Sequence, residues 1–179
     1  MDKLLKTFLV CLAAVLVGNV FIKIVDMKFN FLKEETAKTN LTSNVTLEKR
    51  ERQLDCLARN IYFEAANESF EGKVAVAQVT INRTESGIFP SDICKVIYQK
   101  NIFFEKVVCQ FSWYCDTNSK RPPAHTKIYN ECMAVAKKVL LEGFRLDGLN
   151  EAMYYHASYI NPKWKKQKIA TIGNHIFYK

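Results

Sequence analysis

Residues 58–83 read ARNIYFEAANESFEGKVAVAQVTINR, and the fold turns on how this stretch is arranged. Leu54, Leu57, Ala58, Ile61, Tyr62 and Ala65 recur at three- and four-residue intervals, the spacing of one apolar helical face. Glu64 follows Ile61 by three residues and Leu57 by seven, so it borders that face instead of opposing it. Residues 72–83 read two ways. They alternate like a strand, yet Val74, Gln78 and Ile81 keep helical spacing. Two more carboxylates, Glu68 and Glu71, stand between these segments.

A carboxyl at the edge of an apolar face, flanked by Tyr62 and Phe63, is expected to be partly desolvated. Desolvation disfavours the charged form and raises the pKa, which suits a general acid working near neutral pH. The competing reading is an ordinary exposed helical glutamate. For Glu68 and Glu71 the competing reading is a solvated loop or helix cap.

Downstream, SGIFPSD (86–92) reads as a turn, and Ser91 or Asp92 can cap the segment ICKVIYQ that follows. CQFSWYCDTNSKRPP (109–123) reads as a loop or short hairpin ended by two prolines. Residues 125–142 form the longest expected helix, with Ile128, Cys132, Val135, Ala136 and Val139 on one face and Gly143 as its stop. β-branched and aromatic clusters around Pro162 and Gly173 predict short C-terminal strands. Helices first and strands last give an α+β fold, mainly helical.

Upstream, Lys3 and Lys6 precede an apolar run from Phe8 to Ile22, broken only by Gly18 and Asn19. Its length fits the core of a signal segment better than a membrane span of about 20 residues. The expected organisation is a signal or anchor segment over 1–22, a polar tether over 23–51 with some helix near its start, and a folded domain over 52–179. The basic lead-in would keep the N-terminus in the cytoplasm and send the domain across the inner membrane to the periplasm. Cys11 lies in the apolar run. The five cysteines beyond it (Cys56, Cys94, Cys109, Cys115, Cys132) predict two disulfides and one thiol, with the pairing open. No C-x-x-C pair occurs and there are only three histidines, so neither a metal site nor a cofactor is expected.

The net charge of +8 calls for an anionic partner such as nucleic acid, lipid or wall polymer. Apart from Lys163, Lys165, Lys166 and Lys168 the cations are scattered and no nucleic-acid motif accompanies them, so no nucleic-acid partner is expected. Phe111, Trp113, Tyr154, Tyr155, His156 and Trp164 suit a sugar-binding groove, although any one of them suits a core equally well.

Five blocks then stand in a recognisable order: LARNIYFEAANESFEGKVAVAQVTINR, FPSDICKVIYQ, CQFSW, MYYHASYINPKW and IGNHIFYK. Together they resemble the SleB/CwlJ-type cell-wall hydrolases over Leu54 to Lys179. The resemblance implies a lysozyme-like α+β domain that cleaves peptidoglycan glycan strands, acting as a monomer. It places the essential glutamate at Glu64 and groove residues at Tyr154, Tyr155 and His156, with Gln110 and Ser112 beside them. Where the family usually has Arg-Gly, this chain has Ala66-Asn67. The expected reaction is that of a lytic transglycosylase, in which one carboxyl acts first as acid and then as base. Hydrolysis by a muramidase or glucosaminidase would need a second carboxylate, for which Glu68, one helical turn on, or Glu71 is the candidate. A glycan-binding module without activity is the third alternative.

Overall fold

The computed structural model describes residues 2–116 and 126–179, with the backbone alone for 2–17, 36–45 and Phe103. The chain divides into two units, Met1–Glu48 and Lys49–Lys179.

The first helix, α1, runs from Asp2 to Ala65. Residues 23–51, expected to be largely a tether, are helical throughout. No proline or glycine lies between Gly18 and Gly72, and Lys and Glu, which propagate a helix readily, are the commonest charged residues of the 23–51 stretch. Most of the Phe8–Ile22 run lies outside the residues with described side chains. Among the described residues no helix is long and apolar enough to cross a membrane.

The ambiguous stretch is a helix, α2 (Phe70–Glu85), and every residue from Gly72 to Arg83 is buried. Burial on all sides explains the mixed signal, because a helix with no solvent face has no polar stripe to mark its period. Ser69 caps it by accepting from the Gly72 amide at 3.2 Å. Around α2 pack Leu57, Ala58 and Ile61 of α1, Ile93, Val96 and Ile97 of α3 (Ile93–Ile97), and Cys132, Val135, Ala136 and Val139 of α5 (Lys127–Leu140). Each Leu, Ile or Val among them contributes about 1.5–3 kcal/mol on burial. Asp92 caps α3 as expected, accepting from the Lys95 amide at 3.1 Å. Ile128, placed on the buried face of α5 by its spacing, is 41% exposed in the helix's first turn.

Buried amides on α2 fix the chain beyond α5. Gln78 exchanges hydrogen bonds with the backbone of Leu146, and Asn82 donates to the carbonyls of Leu149 and Ala152. These bonds lead directly into the three-stranded antiparallel sheet, β3 (Tyr154–Ala157), β4 (Lys168–Ile172) and β5 (His175–Tyr178), ordered β3-β5-β4. The α+β expectation therefore holds.

A separate hairpin, β1 (Lys100–Phe103) with β2 (Lys106–Cys109), turns through Phe104 and Glu105 at φ 46° and 64°. The short helix α4 (Trp113–Asp116) follows. Disulfide Cys109–Cys115 closes β2 onto α4, and Cys56–Cys94 joins α1 to α3. Cys132 remains a buried thiol. Two disulfides and one thiol match the expectation for the five outer cysteines.

Candidate active site

A cleft of about 620 Å3 opens between the C-terminal end of α1, the Cys109–Trp113 segment and the β3 side of the sheet. Glu64 enters it from the last turn of α1, with Phe63 beside it. The chain geometry that brings it there is simple: Ile61 and Ala65 are buried, and Glu64, about 60° round the helix from Ile61 on the side away from Ala65, is left at the edge of the core.

Glu64 is the only carboxylate among the described residues lining the cleft. Tyr155 donates its hydroxyl to Glu64 Oε2 at 2.9 Å. Burial raises the Glu64 pKa above the usual carboxyl value, while the Tyr155 bond and the Arg83 charge pull it back in part. The balance favours a carboxyl that holds its proton longer than a solvated one. Tyr155 itself is pushed well above the usual phenol range, by burial first and by the neighbouring carboxylate second. It remains a donor.

Arg83 ends the buried run of α2 and stands under the same cleft. Its Nε donates to the Met153 carbonyl at 2.8 Å, and its guanidinium lies 5.2 Å from the ring centres of both Phe89 and Phe111. In the amide orientation that satisfies both partners, Gln110 Oε1 accepts from the two terminal guanidinium nitrogens at 3.2 and 3.3 Å. Burial lowers the Arg83 pKa, opposed by Tyr155, Tyr154 and Glu64. An arginine remains charged even so. Arg83 is thus a buried cation next to the one cleft carboxyl. The sequence carries a signal for it: Val74 to Asn82 hold no charge, and an arginine that ends such a stretch needs an internal partner if the helix is buried.

The other residues expected at the site are in the cleft lining too: Gln110, Ser112, Tyr154, Tyr155 and His156. His156 has both ring nitrogens engaged. Nδ1 donates to the Ala157 carbonyl at 2.8 Å, and Nε2 meets the Tyr178 hydroxyl at 2.9 Å. Its ring stacks on Tyr178 and meets the edge of Trp164, an arrangement suited to packing against a sugar instead of moving a proton. Phe111 and Trp113 are buried in the core and also line the cleft. Trp113 Nε1 donates to buried Asn60 at 2.9 Å.

Glu68 does not reach the cleft lining. Its carboxylate accepts from the Asn174 amide (3.2 Å) and side chain (3.1 Å), at the turn between β4 and β5. Its side chain is only 9% exposed, so it is not solvated either. The contact is tight enough that a Cβ on Gly173 would come within 1.9 Å of Glu68 Oε2, and Gly173 has φ +55°. His175, two residues after Gly173, lines the cleft with Nδ1 3.8 Å from Glu68 and its ring edge-on to Tyr155. Burial lowers its pKa against the pull of Glu68. Glu71 lies in the exposed first turn of α2, where its charge faces the helix N-terminus.

A family model described as Cell Wall Hydrolase matches residues 67–178. The chain belongs to the cell wall hydrolase family. The match starts three residues after Glu64, so that residue rests on the geometry above. Among curated relatives, the spore cortex-lytic enzyme of Bacillus subtilis is 30% identical over 129 residues, covering 68% of this chain and 35% of that protein. The spore cortex-lytic enzyme of Oceanobacillus iheyensis is 28% identical over 144 residues, 76% of this chain and 45% of that protein. The chain thus spans less than half the length of these relatives. The catalytic domain of the Bacillus cereus SleB protein superposes with a TM-score of 0.55 at 26% identity, over 72% of this chain and 91% of that one. That of the germination-specific lytic transglycosylase SleB from Bacillus anthracis gives 0.53 at 25% identity, over 71% and 93%. The family's hydrolase domain therefore accounts for most of the Lys49–Lys179 unit.

Proposed function

We propose that the domain cleaves peptidoglycan glycan strands between N-acetylmuramic acid and N-acetylglucosamine as a lytic transglycosylase, leaving 1,6-anhydromuramoyl ends. The observation that carries this reading is Glu64, the one carboxyl among the described residues lining a cleft that it shares with aromatic, amide and hydroxyl groups and the Arg83 cation. Such surfaces stack on sugar faces and bond their hydroxyls and acetamido groups. The Bacillus anthracis neighbour is itself called a lytic transglycosylase, which supports the same chemistry here.

The protonated Glu64 gives its proton to the glycosidic oxygen as the bond from muramoyl C1 to that oxygen breaks. The leaving N-acetylglucosamine keeps the proton as its 4-hydroxyl. The carboxylate, now charged, is steadied by the Tyr155 hydroxyl and the Arg83 charge. It then takes the proton of the muramoyl C6 hydroxyl while O6 attacks C1 and closes the anhydro ring. Glu64 ends as it began and no water is consumed. One residue performs both transfers, so the paired carboxylates of ordinary glycosidases are not required. Glu68, held by Asn174, is a structural group in this reading.

The domain must reach the wall for this work. We place it in the periplasm, exported or held at the inner membrane by the basic and apolar N-terminal segment, and the two disulfides suit that oxidising compartment. Digestion of purified sacculi followed by mass spectrometry tests the reaction. Anhydromuramoyl ends are expected. Reducing ends would mean hydrolysis, and intact strands would mean binding alone.

A further inference from the structure

Residues 152–179 build the sheet side of the cleft and hold five lysines with no aspartate or glutamate. Lys179 is paired with Glu151 at 2.9 Å. Lys163, Lys165, Lys166 and Lys168 have no carboxylate partner among the described residues. Lys166 differs from the rest. It is half-buried, and its Nζ sits 3.4 Å from the ring centre of Tyr154, a residue of the cleft wall. The ring holds the ammonium in place without cancelling its charge. Trp164 and Pro162 of the same loop also line the cleft, so the cation stands at its rim. The cleft's own carboxyl is engaged by Tyr155 and Arg83 and leaves Lys166 unmatched.

This inference rests on the proposed glycan substrate. A backbone of N-acetylated sugars is neutral and offers an ammonium no countercharge. The 3-O-lactyl arm of muramic acid does, either through its own carboxylate or through those of a peptide attached to it. We propose that Lys166, with Lys163 and Lys165 beside it in sequence, determines specificity by binding a carboxylate on the muramoyl 3-O substituent. The cleft then selects strands that carry this charge over strands in which it is absent.

The test measures binding, in the full-length Glu64→Gln protein, so that cleavage plays no part. Glycan strands are prepared with their peptides or stripped to the lactyl carboxylate by an amidase. Each preparation is also converted to neutral amides by carbodiimide coupling. Neutralising the carboxylates should weaken binding about 10-fold, the low end for a charge-assisted contact. Adding Lys166→Gln should weaken binding to the charged strands by a similar factor and abolish the effect of neutralisation, while Lys166→Arg should retain it. If stripped strands bind like peptide-bearing ones, the lactyl carboxylate is the ligand. If they bind like neutralised ones, it is the peptide. Equal binding of charged and neutralised strands would overturn the inference, as would a Lys166→Gln protein still sensitive to neutralisation. Binding to no strand at all would instead overturn the glycan reading on which it rests.

Discussion

The Tyr155 hydroxyl donates to Glu64 Oε2 at 2.9 Å, and this bond opposes the larger effect of burial on the same carboxyl. A hydrogen bond to the charged form lowers a carboxyl pKa, so removing it raises that pKa further. The general acid is lost as pH rises through the Glu64 pKa. Tyr155→Phe should therefore move the alkaline limb of kcat/KM on soluble glycan strands to higher pH, while lowering the maximum. A limb that stays in place, or moves to lower pH, would mean the bond does not control the proton.

The same raised pKa links folding to pH. Between the unfolded carboxyl value and the folded Glu64 value, the folded chain holds a proton that the unfolded chain has released. The wild-type protein should lose stability as pH rises through that window, and Glu64→Gln should not. The melting temperature of the variant relative to wild type should thus climb with pH, starting from about pH 4.5 and levelling above the folded pKa. A difference that is flat with pH would show the carboxyl is not held in its protonated form.

Glu68 and Gly173 should behave as one structural unit. Gly173→Ala places a methyl group against the Glu68 carboxylate at a backbone angle that disfavours any side chain. The expected cost is about 1–3 kcal/mol. In a Glu68→Ala background the clash is gone, so the same change should cost measurably less. Urea unfolding of the four proteins gives the coupling, and strict additivity would contradict the packing described.

The Cys56–Cys94 bridge ties α1, two turns before Glu64, to α3 and spans 38 residues of sequence. Closing a loop of that length limits the unfolded chain by about 4 kcal/mol on the chain-entropy estimate. A Cys56→Ser/Cys94→Ser double variant should lose a large part of that stability in urea unfolding. If its stability equals wild type, the bridge does not stabilise the folded domain.

Much of this architecture was legible from residue spacing. The buried face of α1, the Asp92 cap, the core face of α5 and the C-terminal strands all follow from apolar period and turn chemistry. α2 was not decided by spacing, because a helix buried all round shows no polar stripe. The β1–β2 hairpin was hidden for a different reason. Its turn is Phe104-Glu105, both at positive φ, where Asn-Gly or Asp-Gly would have announced it. At the site, the edge position of Glu64 foretold its partial burial. Arg83 and His175 were missed because their partners come from elements distant in sequence, and Glu68 took its turn-binding role from Asn174, 106 residues away.

In the proposed reaction Glu64 alone carries both proton transfers. The most direct test is the cleavage rate of sacculi by Glu64→Gln beside Glu68→Gln, each checked for a folded state by thermal melting. Glu64→Gln keeps the side-chain shape but holds no transferable proton, and its rate should fall at least about 1,000-fold, within the range of general acid–base catalysis. Glu68→Gln should lose stability and keep most of its turnover while folded. Near-normal cleavage by Glu64→Gln, or an equal collapse in a folded Glu68→Gln, would rule out a single acid–base residue.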